Sequence, residues 1–303
     1  MQRPRIAAVV PTCRGFKVPE QTVPVKWYVV HDRERRNVDE NGQEVHHIVA
    51  PEPEMYGQRC DSIRSAGFLQ AYLDGYDYVL TVDDDCFVPK WWAAQHSDGL
   101  SVPVPHWNFT VEGVYTRGMP RSGLLMPVAL THGLWNGVLD YSAFDMHHAI
   151  VPYYHKSNAW RRIHPPFAQS AMNIGFKRDV TQVMYQPAQG EGTPFDRYAD
   201  IWGGMFAQKA LSEHDWAFVN GGAQVYHERA SSVEANKDKE APGDRIHREL
   251  WQFVWSMDVR ASSLVQSYCK IAARLRDFPV DSDYFAKIGE NMFRWVDLCE
   301  GRK

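Results

Sequence analysis

Three consecutive aspartates, Asp83, Asp84 and Asp85, end the apolar run 76–82 and are followed by Cys86, Phe87 and Val88. The run predicts a buried strand with carboxylates at its far end. Adjacent carboxylates repel each other unless a cation or water compensates. Mg2+ or Mn2+ is the usual compensator, because each takes oxygen ligands and bridges to diphosphate oxygens. The chemistry this allows is that of an enzyme handling a nucleotide diphosphate. A solvated acidic turn explains the same tripeptide equally well, so the surrounding elements have to decide.

Those elements read as an α/β protein with a mostly parallel central sheet. Residues 6–10 are a first apolar strand, stopped by Pro11 and Thr12, and residues 25–30 are a second, ending at His31 and Asp32. Residues 33–57 are polar, with Asn41-Gly42, Pro51 and Pro53 favouring turns. A helix starts at Asp61 and Ser62, carries Ile63, Ala66, Leu69 and Leu73 at helical spacing, and stops at Gly75. The strand that delivers the aspartates comes next. Ligands of such sheets gather at the carboxyl ends of the strands, where Thr12, Asp32 and Asp83 to Asp85 all fall. Residues 99–227 are rich in Gly, Pro and Trp and read as loops and short strands on the acceptor side of a pocket. The polar segment 235–243 reads as a mobile loop. Helices follow from about 244, near 262–275 and near 283–299, the first with Ile246, Leu250, Phe253, Val254 and Met257 as its apolar stripe.

At 303 residues, the chain is long enough for one large domain or two modest ones. A formal charge of −4 advertises no global basic field for nucleic acid or membrane. Five widely spaced cysteines lack metal-ligand spacing and suit a reducing compartment. The amino terminus has no apolar signal stretch, and no run reaches membrane-spanning length. The expectation is a soluble cytoplasmic protein.

Eight segments then occur in order. They are Val9-Val10-Pro11-Thr12-Cys13-Arg14, Asp61-Ser62, the run 81–88 with its three aspartates, and Arg117-Gly118-Met119-Pro120. His132-Gly133-Leu134-Trp135, Met172-Asn173-Ile174-Gly175-Phe176, the block 197–204 beginning Arg197-Tyr198-Ala199-Asp200, and His227-Glu228-Arg229-Ala230-Ser231 complete the series. Over residues 6–255 the set resembles the reversibly glycosylated polypeptides, or UDP-arabinopyranose mutases. The resemblance implies a GT-A type fold: a catalytic domain over 1–235, with a donor half to about 95 and an acceptor half from 96, then a helical extension over 236–303. It implies a UDP-sugar donor and Mn2+ or Mg2+.

Transferred residue by residue, the resemblance makes Asp83 and Asp85 the outer members of a metal and ribose motif. Asp85 is then the direct metal ligand, and Asp84 a ribose or metal partner. Thr12, Arg14 and Asp32 would line the nucleoside pocket and Arg64 would meet the diphosphate. His227 falls at a second metal position, and Asp200 where a base would deprotonate an acceptor hydroxyl. His132, Arg197, Trp135 and Trp202 fall on the sugar and acceptor side, the tryptophans able to stack on a ring face. Plainer readings stand beside these: Arg64 in a surface ion pair, His227 as a polar strand end, Asp200 as a helix cap, and the tryptophans, with Trp91 and Trp92, as core.

One departure bears on activity. The family carries a reversibly glycosylated arginine between its Arg-Gly-X-Pro and His-Gly-Leu-Trp motifs. Here that stretch is one residue shorter, and Gly123 or Leu124 stands at the expected place. This favours transfer of the sugar to an external hydroxyl, with inversion, over ring contraction. A UDP-sugar mutase using Arg117 or Arg121, and a non-catalytic nucleotide-sugar-binding subunit, are the alternatives. The acceptor is not named by the sequence. Basic and aromatic residues alternate over 153–164, which admits a hydroxymethylated DNA base as a minority reading.

Overall fold

The computed structural model describes residues 3–106, 125–138, 140–147, 159–228 and 231–302. Its centre is a nine-stranded sheet. In chain order the strands are β1 (Ile6–Thr12), β2 (Val25–His31), β3 (Val45–Val49), β4 (Tyr78–Val82), β5 (Cys86–Phe87), β6 (Val128–Gly137), β7 (Trp160–Ile163), β8 (Asn173–Lys177) and β9 (Ala217–His227). Across the sheet the order is β7-β9-β6-β8-β4-β1-β2-β3, with β5 attached to β9. The pairings β1 with β2, β1 with β4, β2 with β3 and β6 with β9 are parallel. Strands β8 and β7 run against their neighbours. Six of the eight strands on this path therefore point the same way, and their carboxyl ends share one edge.

Every residue of β1 is buried, Pro11 included, because the strand has neighbours on both sides and helices on both faces. Pro11 does not end the strand as its residue type predicts; it pairs in register with Val30, and β1 runs on to Thr12. Helix α1 (Arg64–Leu73), entered through a 3-10 turn at Asp61–Ile63, covers one face. Its Gly67 lies where a Cβ would come within 2.5 Å of Val9, so the helix seats closely on β1. Helix α2 (Trp92–Ser101) covers the opposite face, with Trp92 fully buried against Trp27.

The middle of the chain is more regular than its composition suggests. It supplies the two longest strands, β6 and β9, and helix α3 (Ala199–Ser212). Helix α3 is buried nearly all round, so its sequence shows no polar face for periodicity to detect. The segment 235–243 is not a loop. It opens helix α4 (Val233–Ser256), which starts where Ser232 Oγ accepts the Ala235 N–H at 3.1 Å and which contains Pro242. Helices α5 (Leu264–Arg274) and α6 (Ser282–Cys299) follow. Their buried Ile271, Phe285 and Trp295 share one apolar cluster with Phe68 of α1 and Phe206 of α3. Among the described residues, no helix is long and apolar enough to cross a membrane.

Candidate active site

A cavity of about 560 Å³ opens at the carboxyl edge of the sheet. Thr12 enters it from the end of β1, Asp32 from just after β2, the three aspartates from the turn after β4, and His227 from the end of β9. Ser170 and Met172 arrive from just before the reversed strand β8, whose amino end lies at the same edge. Topology alone thus gathers residues more than 200 positions apart.

The aspartate turn is built locally. The Cys86 N–H donates to the Asp83 carbonyl at 3.1 Å, which closes the turn. Strand β5 then pairs Cys86 with His227 and Phe87 with Tyr226, while the Glu228 N–H donates to the Asp85 carbonyl at 3.0 Å. This short pairing brings His227 Nε2 to 3.7 Å from Asp85 Oδ1. The other ring nitrogen, Nδ1, donates to the Val138 carbonyl at 2.8 Å, which fixes the ring and turns Nε2 towards the carboxylate. Burial works against a charge on His227, but Asp85 and the Val138 carbonyl outweigh it and raise its pKa.

The three carboxylates face different partners. Asp84 accepts from Thr12 Oγ1 at 2.8 Å and is ion-paired with Arg14, whose guanidinium also lies 3.5 Å from Asp85. Asp83 accepts from Arg64 Nη2 at 2.6 Å. Burial, together with Asp85 and Asp61, pushes the Asp83 carboxyl up to about 6 against the pull of Arg64. Asp32 Oδ2 accepts the Arg59 N–H at 3.3 Å. Asp200, in the first turn of α3, accepts the Ala171 N–H at 2.8 Å. Burial and the nearby Asp61 hold its carboxyl well above the ordinary range.

Of the residues singled out from the sequence, Thr12, Arg14, Asp32, Asp83, Asp84, Asp85, Arg197, Asp200 and His227 line this one cavity. Arg64 does not. It is fully buried, and its five N–H donors go to the Asp61 carbonyl and carboxylate, Thr81 Oγ1, the Ala171 carbonyl and Asp83. A guanidinium engaged in this way has no donor left for a diphosphate. Trp202 is likewise fully buried, packed against Phe195, Tyr198 and Phe285, with its indole N–H donated to His247 Nδ1 at 3.1 Å. His132 is buried behind the cavity; its Nε2 accepts the Ser170 N–H at 3.2 Å and its Nδ1 faces the Asn220 amide at 3.0 Å. Trp135 packs beside His132 in the second apolar cluster. None of these three is among the residues that line the described cavity, although Trp135 is only half-buried.

Residues 117–121, with both alternative arginines, Gly123 and Leu124, and residues 153–158 and 229–230 lie outside the described residues. From the rest of the basic and aromatic stretch, Trp160 is packed against the sheet side of α2, with its indole N–H on the Gln95 carbonyl at 3.1 Å. It is not a free stacking surface.

Sequence reasoning missed Asp61, Asp140, Asp196, Lys239 and Glu240 as cavity residues. The last two come from the start of α4, the segment taken for a mobile loop. Its alternating charges are those of a helix face that borders a polar cavity as well as water. Nine carboxylates among the described residues line the cavity against five Lys and Arg side chains.

That excess, and the paired Asp85 and His227, fit a hard divalent cation. Among the described residues no group of three or more His, Cys, Asp or Glu is set around one point. Two protein donors suit Mg2+ or Mn2+, which keep waters and take substrate phosphates as remaining ligands.

The profile of the reversibly glycosylated polypeptides matches residues 37–303. Probable UDP-arabinopyranose mutase 1 of Solanum tuberosum is 26% identical over 287 residues, covering 86% of this chain and 76% of that protein. UDP-arabinopyranose mutase 3 of Arabidopsis thaliana is 26% identical over 286 residues, covering 86% and 77%. Among solved structures, glucosyl-3-phosphoglycerate synthase from Mycobacterium tuberculosis, in complex with Mn2+, UDP and phosphoglyceric acid, covers 82% of this chain and 78% of its own at 10% identity and a TM-score of 0.42. With the family profile matching most of its length, the chain belongs to the reversibly glycosylated polypeptides.

Proposed function

We propose that this protein breaks and re-forms the bond between the anomeric carbon of a sugar and the diphosphate of UDP, as a UDP-sugar mutase of the arabinopyranose type on a GT-A type fold. One observation carries the reading: relatives named UDP-arabinopyranose mutase align over 86% of the chain and over about three quarters of their own length. This revises the preference for an external acceptor that the sequence alone had favoured.

In this reading Asp32, with the Arg59 backbone, holds the nucleoside, and Thr12 and Arg14 fix Asp84 against the ribose side. Asp85 and His227 would hold Mn2+ or Mg2+, and the ion when bound would supply positive charge for the departing diphosphate. Asp83, tied to Arg64, sets the height of the turn. Asp200 is the proton-handling carboxyl. A carboxyl raised by burial is a better proton acceptor than an ordinary aspartate and, once protonated, a donor, which suits a reaction in which one sugar oxygen gains a proton and another loses it.

Incubation with UDP-arabinopyranose and Mn2+ should give UDP-arabinofuranose, resolved by anion-exchange chromatography. Accumulation of free UDP with no furanose product would count against the mutase. Transfer to an external hydroxyl is the second reading, favoured by the absence of an arginine between Ser122 and Thr131. In that case UDP release depends on added acceptor, and Asp200 takes the acceptor's proton.

A further inference from the structure

We propose that Arg197 is the residue that receives the diphosphate of the bound nucleotide and stabilises it as it leaves. This rests on the UDP-sugar reading above and assigns the place that Arg64 does not fill.

The cavity's other cations are engaged. Arg14 is paired with Asp84, Arg36 lies 2.9 Å from Glu34, Arg59 lies 3.3 Å from Glu191, and Lys239 lies 3.6 Å from Asp196. The Arg197 guanidinium alone among them makes no hydrogen bond or ion pair with a described residue. Arg197 is exposed at the mouth of the cavity; partial desolvation works against its charge, and Asp61, Asp83, Glu240 and Asp196 around it more than compensate, so it stays a cation. Asp83 belongs to the turn that carries Asp85, and Arg197 lines the same cavity as that turn.

The backbone says that this placement is imposed. Arg197 has φ 70°, in the left-handed region that a residue with a Cβ rarely adopts. Such a conformation persists only where neighbours over-determine it. Here the Arg197 N–H is held by Asp196 Oδ1 at 2.9 Å, and the next N–H, of Tyr198, by Gln189 Oε1 at 2.8 Å. A glycine would relieve the strain, and the chain carries an arginine instead. A guanidinium held unpaired beside carboxylates has the fork geometry that meets two phosphate oxygens at once. When the anomeric C–O bond breaks, its electron pair goes to the β-phosphate oxygen, and N–H donors already aimed there stabilise the charge without rearranging.

The test uses Arg197→Gly and Arg197→Lys in the full chain. Glycine fits φ 70°, so Arg197→Gly should melt at or above the parent temperature. Calorimetric titration with UMP and UDP, both with Mn2+, is then the readout. We expect the parent to prefer UDP, Arg197→Gly to lose UDP affinity by about 10- to 100-fold with UMP unchanged, and Arg197→Lys to fall between. An unchanged ratio of UDP to UMP affinity in Arg197→Gly overturns the inference, as does an equal loss for both nucleotides. A parent protein that binds UDP no better than uridine overturns the UDP-sugar reading itself.

Discussion

Arg64 and Asp83 meet at 2.6 Å beneath the floor of the cavity, and this contact makes the arginine a support for the aspartate turn in place of a ligand. Arg64 is the first residue of α1 and braces the turn after β4, with Asp61, Thr81 and Ala171 accepting its other N–H groups. The height of Asp83 above the sheet is thereby fixed from below.

Arg64→Met should therefore cost stability before it costs binding. Removing one partner of a buried, hydrogen-bonded charge pair costs about 3 kcal/mol or more. Urea unfolding should show the loss as a lower midpoint. Arg64→Lys should recover little of it, because one ammonium cannot replace five donors in a plane. A midpoint for Arg64→Met equal to that of the parent would remove the bracing role.

Asp200→Asn separates activity from stability. The Asp200 carboxyl is raised on folding by burial and by Asp61, so the folded chain binds its proton more tightly than the unfolded chain does. The stability this confers is full below the ordinary aspartate value and is lost as pH rises through the raised value. Asparagine keeps an acceptor for the Ala171 N–H and carries no charge. Asp200→Asn should lose on the order of 100-fold in turnover, while its stability falls less than the parent's as pH rises from the ordinary aspartate value through the raised one. Turnover within a few-fold of the parent would end the proton-handling role.

Metal dependence should reside in two side chains. UDP with Mn2+ is expected to raise the melting temperature of the parent, and EDTA should remove most of the increment. Asp85→Ala and His227→Ala should each show the smaller, EDTA-like increment in the presence of Mn2+. A UDP increment indifferent to EDTA would be incompatible with a metal at this pair.

Gly67→Ala tests how α1 is seated. The added methyl would fall 2.5 Å from Val9 and 2.9 Å from Val30, against buried strands on which the site depends. Overpacking of this kind costs about 1–3 kcal/mol. The thermal midpoint should drop accordingly, and UDP affinity should fall with it, since Val30 lies two residues before Asp32 and Val9 three before Thr12.

The donor edge was legible because its signals are local. Apolar runs ending in Thr12, Asp32 and Asp83 report strands and their carboxyl ends directly, and α1 shows its stop; its predicted stripe holds at Ile63 and Ala66 but not at Leu73, which is exposed, because Phe68 and Ala71 turn the buried face. Arg64 was misplaced because spacing puts it one turn inside a helix without saying which way the helix faces; burial decided it. Trp202 and His132 were misjudged for the same reason, since motif order names residues and says nothing of depth. Helix α4 escaped because Pro242 and interleaved charges imitate a loop. Pro242 nonetheless lies within the helix, and Gly243 beside it lets α4 pass close over the ring of Tyr198.

The preponderance of carboxylates in the cavity has a further consequence. A polyanionic ligand and a cation entering such a space raise each other's affinity by the same factor, because coupling between two equilibria is reciprocal. Occupancy by such a ligand would then track the free concentration of divalent ion, and the protein would report on ionic conditions through a site built for chemistry.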